Sequence, residues 1–288
     1  MTEPTRRALH REGGPAAGGS RQEEETGGSL LLRWVERPDG QMELLEAPLT
    51  REDYLNPQLG DKWLQGKLHG KTIRDLADRL ERWFQPRPEL LVLEDVKHLL
   101  GRGLPKPCPD VSVIRGARRP ERVDASFDVV RQGVPPCLII EVISPRDARV
   151  RKIDEQDKVE IYQRAGVPEY LLLDLPREPS GRFGIFGYRL GPAGAYQRLV
   201  PDEQGRLLSE TTGLWFSISP EGDRVVIRDV ATGELLQTSV EEEQGRKREA
   251  AARERETKAR QAAEERAATA ETELARLRAE NERLRRGE

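Results

Sequence analysis

Two carboxylates stand where carboxylates are expensive. Asp110 follows Pro109 at the head of a short apolar run, and Glu141 sits inside Leu138-Ile139-Ile140-Glu141-Val142-Ile143-Ser144-Pro145. An unpaired ionised carboxylate in a core either costs several kcal/mol or neutralises itself, so each acid needs a metal, a base or a hydrogen-bond network. Lys158 follows in the next stretch of helical pattern. Hydrolysis of a phosphodiester requires an activated water, neutralised phosphoryl oxygens and in-line geometry. Mg²⁺ meets these needs when one or two carboxylates hold it beside substrate oxygens. Acids on adjacent strands, about 4.8 Å apart, can share one cation. A nearby amine can orient or deprotonate the water, or offset charge in the transition state. The competing reading of Asp110 and Glu141 is a structural salt bridge, for instance with Arg146.

The elements that must carry these residues are legible as patterns. Residues 31–36 and 42–45 alternate around Pro38-Asp39-Gly40 and predict a hairpin. A helix is expected from about residue 66 to 84, where Leu68, Ile73, Leu76, Leu80 and Trp83 keep a three- and four-residue spacing and Pro86 and Pro88 end it. Strands are expected at 90–93, 111–114, 138–143 and 170–173, with a helix from about 152 to 165 stopped by Gly166. That order is an α/β arrangement around a mixed sheet. Beyond Pro179, short strands near 184–190, 197–199, 214–218, 225–229 and 235–237 read as a β-meander appended to the core, the last two turning at Ala231-Thr232-Gly233. The expected division is therefore an unstructured segment (1–29), a core with its hairpin (30–178), an appended β region (179–239) and a helical tail (240–288).

Composition narrows the classes. The 288 residues are 34% charged and 5% aromatic with a net charge of −3, so no global basic excess advertises phosphate binding. Local basic clusters occur at Arg115/Arg118/Arg119/Arg122 and at Arg146/Arg149/Arg151/Lys152; solvated loops are the alternative reading. Cys108 and Cys137, the only cysteines, make neither a disulfide framework nor a four-ligand zinc site. No apolar run reaches the length of a membrane span and no apolar targeting core is seen, so a cytoplasmic protein is expected.

The tail is Glu, Arg, Ala and Gln almost throughout and falls into heptads near its end. Ala267, Leu274 and Asn281 take a positions; Ala263, Ala270, Leu277 and Leu284 take d. In a parallel dimer Glu273 faces Arg278′ and Glu280 faces Arg285′, and an asparagine at a favours an in-register pair. Upstream the register places Arg253, Glu256 and Arg260 at the seam, which limits the coiled coil to about three heptads. A solvated single helix is the alternative.

Taken together, Pro109-Asp110-Val111, Glu141-Val142-Ile143-Ser144-Pro145, Asp154, Lys158, Tyr162, Gly166-Val167-Pro168-Glu169-Tyr170 and Asp174 resemble the Uma-two family. These are restriction-endonuclease-like proteins placed in the PD-(D/E)XK nuclease superfamily. The similarity runs from about Pro48 to Leu175 and includes His69 near the start of the first long helix. It implies an αβββαβ core, dependence on Mg²⁺ or Mn²⁺, and DNA as the substrate class. The superfamily's usual lysine, two residues after the second acid, is replaced here by Ile143. The family form moves it to the following helix, which points to Lys158, with Asp154 one turn earlier on the same face and Lys152 as the runner-up. His69, Asp154 and Asp174 are auxiliary candidates, and Asp61 and Glu94 lie in reach of the same elements. Tyr162 and Tyr170 are expected to pack, with hydroxyls at the rim. The resulting expectation is a metal-dependent endodeoxyribonuclease, dimeric through its tail. The alternative is a catalytically inactive DNA-binding or assembly module with a coiled-coil partner.

Overall fold

A computed structural model describes residues 29–63, 66–118, 123, 125–145, 147–178 and 180–286. The segment expected to lack structure lies outside the described residues except for Ser29, as do Arg119, Arg122 and Arg146 of the two basic clusters. The hairpin is β1 (Leu30–Glu36) and β2 (Met42–Pro48), in register from Leu30 opposite Pro48 to Glu36 opposite Met42. A capping box between Thr50 and Asp53 starts a short helix, α1 (Arg51–Leu55). The two-residue strand β3 (Lys62–Trp63) then returns to β1. Helix α2 (Lys67–Phe84) buries Ile73, Leu76 and Leu80 of the expected stripe together with Ala77 and Phe84, while Leu68 at its start is exposed and Trp83 is half-buried.

The centre of the molecule follows. Strands β4 (Leu90–Glu94), β5 (Lys97–Leu99), β6 (Val111–Arg115) and β7 (Ser126–Asp128) lead through a short helix, α3 (Val129–Gln132), to β8 (Leu138–Ile143). Helix α4 (Ala148–Lys152) is capped by Asp147, which accepts the N–H groups of Arg149 and Val150 and also that of Ser29 at the foot of the hairpin. It passes through a π-helical turn (Ile153–Asp157) into α5 (Lys158–Arg164), and β9 (Glu169–Asp174) ends the core. Elements α2, β4, β6, β8, α4/α5 and β9 give the expected αβββαβ order. The helix predicted over 152–165 begins earlier, at Ala148, and is not uniformly α-helical.

The C-terminal part holds β10 (Gly184–Leu190), β11 (Tyr196–Arg198), β12 (Leu207–Ser209), β13 (Leu214–Ile218), β14 (Val225–Asp229) and the 48-residue α6 (Ser239–Arg286). The central sheet runs β11-β10-β9-β8-β6-β4, with β8 and β9 parallel and the other pairs antiparallel. Thus β10 and β11 extend the core sheet, while β12–β14 form a second sheet. The strand expected at 235–237 is reduced to one bridge, Leu235 to Arg228. Among the described residues no helix is long and apolar enough to cross a membrane.

The sheet has two apolar faces. One packs against α2 and the second sheet, through Leu138, Ile140, Val142, Phe216 and Ile227. The other packs against α1 and α5, through Leu55, Ile139, Ile143, Tyr162 and Tyr170. The second sheet is tied to β9 by Glu169, which is 1% exposed yet well satisfied. It accepts from Arg189 Nε at 2.9 Å, Ser209 Oγ at 2.5 Å, Thr211 Oγ1 at 2.6 Å and the Glu210 amide at 2.9 Å. Five hydrogen bonds, counting that of the Thr211 amide, satisfy the oxygens of this buried carboxyl.

Off the main sheet, β5 and β7 form a parallel pair around His98, which is fully buried against Phe127. Its Nδ1 donates to the Val96 carbonyl at 2.6 Å, so Nε2 is left to accept from Ser112 Oγ at 3.1 Å. Burial pushes the imidazole pKa down to about 4. Unfolding restores an ordinary histidine near 6.5, so the unfolded chain takes up a proton that the fold refuses. Stability should be full above pH 6.5 and decline as the pH falls toward 4, by about 3 kcal/mol from this residue at ~1.4 kcal/mol per pH unit. Urea unfolding at pH 7 and pH 5 checks this, with His98→Asn losing that part of the decline. An equal decline in variant and wild type would assign it elsewhere.

Candidate active site

Alternation along β8 decides where Glu141 points. Ile139 and Ile143 belong to the face covered by α5, so Glu141 between them is aimed at the same helix, while Ile140 and Val142 face α2. Asp110 stands at the head of β6, the neighbouring strand. The two acids are wired through the backbone: the Val142 amide donates to Asp110 Oδ2 at 2.6 Å, and the Asp110 amide approaches Glu141 Oε2 at 3.4 Å. Asp110 is 6% exposed and Glu141 1%.

Lys158 completes the arrangement. Its Nζ lies 2.8 Å from Glu141 Oε1 and 2.9 Å from Asp154 Oδ1, and the residue is 1% exposed. Asp154 lies within the π-helical turn and Lys158 begins the α-helix after it. Widening the helix at this point lets two side chains four residues apart converge on a third group from the sheet. Such turns recur at functional sites because they re-aim side chains at the cost of poorer hydrogen bonds. The exposed Lys152, the runner-up, is one full turn removed on α4.

Three tyrosines close the cluster. Tyr162 donates to Glu141 Oε1 at 2.8 Å, and Tyr170 to the Asp154 carbonyl at 3.0 Å. Both are fully buried, so their hydroxyls are internal braces and not rim groups. Tyr54 of α1 donates to Asp154 Oδ1 at 3.1 Å, and its ring centroid lies 4.4 Å from Lys158 Nζ. It was not singled out in the sequence, because nothing local connects α1 to a cluster 100 residues away.

His69 of α2 lies at the edge. Its Nε2 donates to the Val142 carbonyl at 2.6 Å and is 3.8 Å from Asp110 Oδ2. That bond fixes Nδ1 as the unprotonated nitrogen, and burial lowers the pKa of the ring. His69 therefore braces the strand that carries Glu141. Asp174 is engaged elsewhere, in a two-point pair with Arg151 at 2.8 and 2.7 Å. Asp61 is similarly held by Arg33 at 2.7 and 2.6 Å, and Glu94 is exposed at the end of β4. A residue that the pattern did not reveal is Asp95, which adopts a left-handed backbone (φ 52) and donates its amide to the Asp110 carbonyl at 3.2 Å.

The electrostatics are unbalanced. Three carboxylates surround one ammonium in a buried space. Burial works against the charge on Lys158, but Asp154 and Glu141 outweigh it and hold the pKa well above the ordinary value. Burial pushes Asp154 up to about 6 in spite of Lys158. Burial and then Glu141 raise Asp110 well above a normal aspartate. A further positive charge at Asp110 and Glu141 is what this environment lacks. Asp110 Oδ1 makes no hydrogen bond among the described residues and is available to a hard cation. No group of three or more His, Cys, Asp or Glu side chains is placed to hold a metal among the described residues. Two carboxylates would suit a cation that keeps several of its waters, as Mg²⁺ does, and would not make an all-protein cage.

Removing the ammonium should expose this imbalance. Lys158→Met is expected to lose about 3–5 kcal/mol at pH 8, the usual cost of stranding a buried charge. Its stability should rise as the pH falls to 5.5, because carboxyls whose folded pKa is raised gain stability on protonation. Chemical denaturation at the two pH values checks both signs. A variant as stable as wild type at pH 8 would show that Lys158 is not the counter-charge.

Comparison with known proteins follows the same direction. No curated protein matches the chain. A solved structure similar to it is a crystal structure described as a putative nuclease belonging to DUF820 from Anabaena variabilis ATCC 29413. It is 18% identical, with 50% of this chain and 78% of that one covered and a TM-score of 0.35. The Uma2 (Uma-two) family, described as "Putative restriction endonuclease", matches residues 39–221, which span β2 through β13 and all of the acid–lysine cluster. With more than half of its length in that match, the chain belongs to the Uma2 family.

Proposed function

We propose that this Uma2 protein is a divalent-metal-dependent endonuclease that hydrolyses DNA phosphodiester bonds. The observation that carries the reading is Lys158 Nζ seated 2.8 Å from Glu141 Oε1, on the strand next to Asp110. A superfamily lysine displaced in sequence thus has its charge beside the second acid all the same. Asp110 and Glu141 are the residues that would hold Mg²⁺ or Mn²⁺. When bound, such a cation neutralises phosphoryl charge and lowers the pKa of water.

The protein's own groups have separable roles. Glu141 Oε1 is fixed by Tyr162 and Lys158, while Oε2 meets only the long 3.4 Å contact from the Asp110 amide. Lys158 is held protonated by its acid neighbours, so it serves to offset negative charge and not to withdraw a proton. Asp154, oriented by Tyr54 and with its pKa pushed up to about 6, keeps Lys158 pointed at Glu141.

Cleavage of supercoiled plasmid and oligonucleotides is the test. Wild type is expected to cut with Mg²⁺ or Mn²⁺ and not with EDTA. Asp110→Ala, Glu141→Ala and Lys158→Ala should each lose at least a hundredfold in rate, in line with removal of one charge-stabilising group. Undiminished cutting by the two acid variants would refute the assignment. Absence of cutting by folded wild type on every substrate would favour the inactive binding or assembly module.

The tail supports a dimer in this reading. Helix α6 is rooted on the core by a Thr238–Glu241 capping pair and by Arg79, whose Nη2 lies 2.9 Å from Glu241. It then projects about 70 Å at ~1.5 Å per residue. Leu274 and Leu277 are 49% and 55% exposed, an apolar seam that a second copy would cover in parallel register. Leu277→Ala with Leu284→Ala is expected to halve the mass measured by light scattering. A dimer of unchanged mass and affinity would place the contact outside the zipper.

A further inference from the structure

A cleft lies next to the segment that leads into Asp110, and the roles above do not use it. It has a volume of about 590 Å³. One wall is the loop after α1 together with β3; the other is β5, β7 and the loop that leads into β6. Asp95 and Cys108 are also part of its lining. The Asp95 amide is bonded to the Asp110 carbonyl, and Cys108 is two residues before Asp110 in the chain. The cleft therefore runs up to the backbone that presents the first acid.

Apart from Asp95 and from Asp61, which Arg33 pairs, its lining has two chemistries. Lys62, Lys97 and Lys106 supply ammonium groups from both walls. Lys62 and Lys106 are exposed and form no ion pair among the described residues, in a chain whose net charge is −3. Between them lie Leu59, which is 86% exposed, together with Leu99 and Trp63. The walls are already joined. Lys97 Nζ donates to the Pro57 carbonyl, and the Lys106 amide donates to Asn56 Oδ1 at 2.9 Å. A ligand would find the cleft formed and would not have to order it.

Apolar surface between unpaired ammonium groups suits a ligand with flat apolar faces and regularly spaced anions. A duplex presents its phosphates but hides its base faces in the stack. An unpaired strand presents both. We infer that this cleft binds single-stranded polynucleotide, with phosphates on Lys62 and Lys106 and bases against Leu59, Leu99 and Trp63, and feeds it toward Asp110. The inference deepens the nuclease reading, on which its direction of feed rests, by assigning the strand form that reaches the site.

Fluorescence anisotropy tests it on the full-length protein. The probes are a fluorescein-labelled oligothymidylate and a blunt duplex of equal length, with EDTA present so that nothing is cut. Wild type should bind the single strand more tightly than the duplex. Lys62→Gln with Lys106→Gln should weaken single-strand binding roughly tenfold or more at low salt. It should also make the salt slope shallower by about 1.4, at ~0.7 per phosphate contact on a single strand. Both lysines are exposed, and an unchanged circular dichroism spectrum and melting point verify the variant's fold. Equal affinity and slope in variant and wild type, tighter binding of the duplex by wild type, or no binding of either probe would overturn the inference. A parallel cleavage assay with Mg²⁺ separates the two claims. Cleaving wild type with an unaffected variant removes the cleft alone. Lysine-dependent binding without any cleavage removes the nuclease reading and leaves the cleft.

Discussion

Three carboxylates and one ammonium share a space from which water is nearly excluded, and much of the core can be understood as the means of tolerating that. Glu141, Asp154 and Lys158 are each 1% exposed and Asp110 is 6% exposed. Charges at that depth persist only with close partners and full hydrogen bonding, and an apolar replacement of similar volume is often as stable or more so. Stability alone is therefore a poor reason for such a cluster. Its composition is also lopsided, with acids outnumbering the base. Tyr54, Tyr162 and Tyr170 each give a hydroxyl proton to this negative excess or to the backbone beside it, and the remaining deficit lies at Asp110 and Glu141.

The architecture serves this geometry from both sides of the sheet. Strand β8 is apolar at every position but one, and pleating turns that one toward α5. The parallel β8–β9 pair requires a crossover, and that crossover is the helical segment that returns Asp154 and Lys158 to the sheet. A regular helix there would separate the two side chains differently, which gives the π-helical turn a positional purpose. On the opposite face, α2 and the second sheet fill the space that water would otherwise occupy. Glu169 locks that sheet to β9 with hydrogen bonds from two segments of chain, Arg189 and residues 209–211.

What the sequence revealed followed from local cost and period. Glu141 was conspicuous because an acid amid Leu138-Ile139-Ile140 and Val142-Ile143 violates the pattern of its own strand. Helix α2 and strands β4, β6, β8 and β9 were visible because each is long enough to show its period. Lys158 was reached differently, through a family resemblance that names the following helix, since no pattern marks one lysine among many. Non-local features were illegible. Tyr54 meets Asp154 across 100 residues, and β5 and β7 are only three residues each, too short for any period to register. The left-handed Asp95 is a conformation and not a pattern. The pairing of Asp174 was hidden for the same reason: its partner, Arg151, stands 23 residues earlier and is brought to it only by the crossover.

The claim at the centre is that the negative excess at Asp110 and Glu141 is matched by a bound divalent cation. Thermal unfolding of the full-length protein against rising Mg²⁺ or Mn²⁺ measures this without reference to any substrate. A ligand that binds only the folded state raises the melting temperature as its concentration passes the dissociation constant. The account predicts such a rise for wild type, lost in Asp110→Asn and in Glu141→Gln, with Asp110→Asn already more stable than wild type in EDTA because it removes a buried charge that has no ion-pair partner as close as the one Lys158 gives Glu141. A melting temperature indifferent to either metal, with no gain in stability from Asp110→Asn, would contradict it.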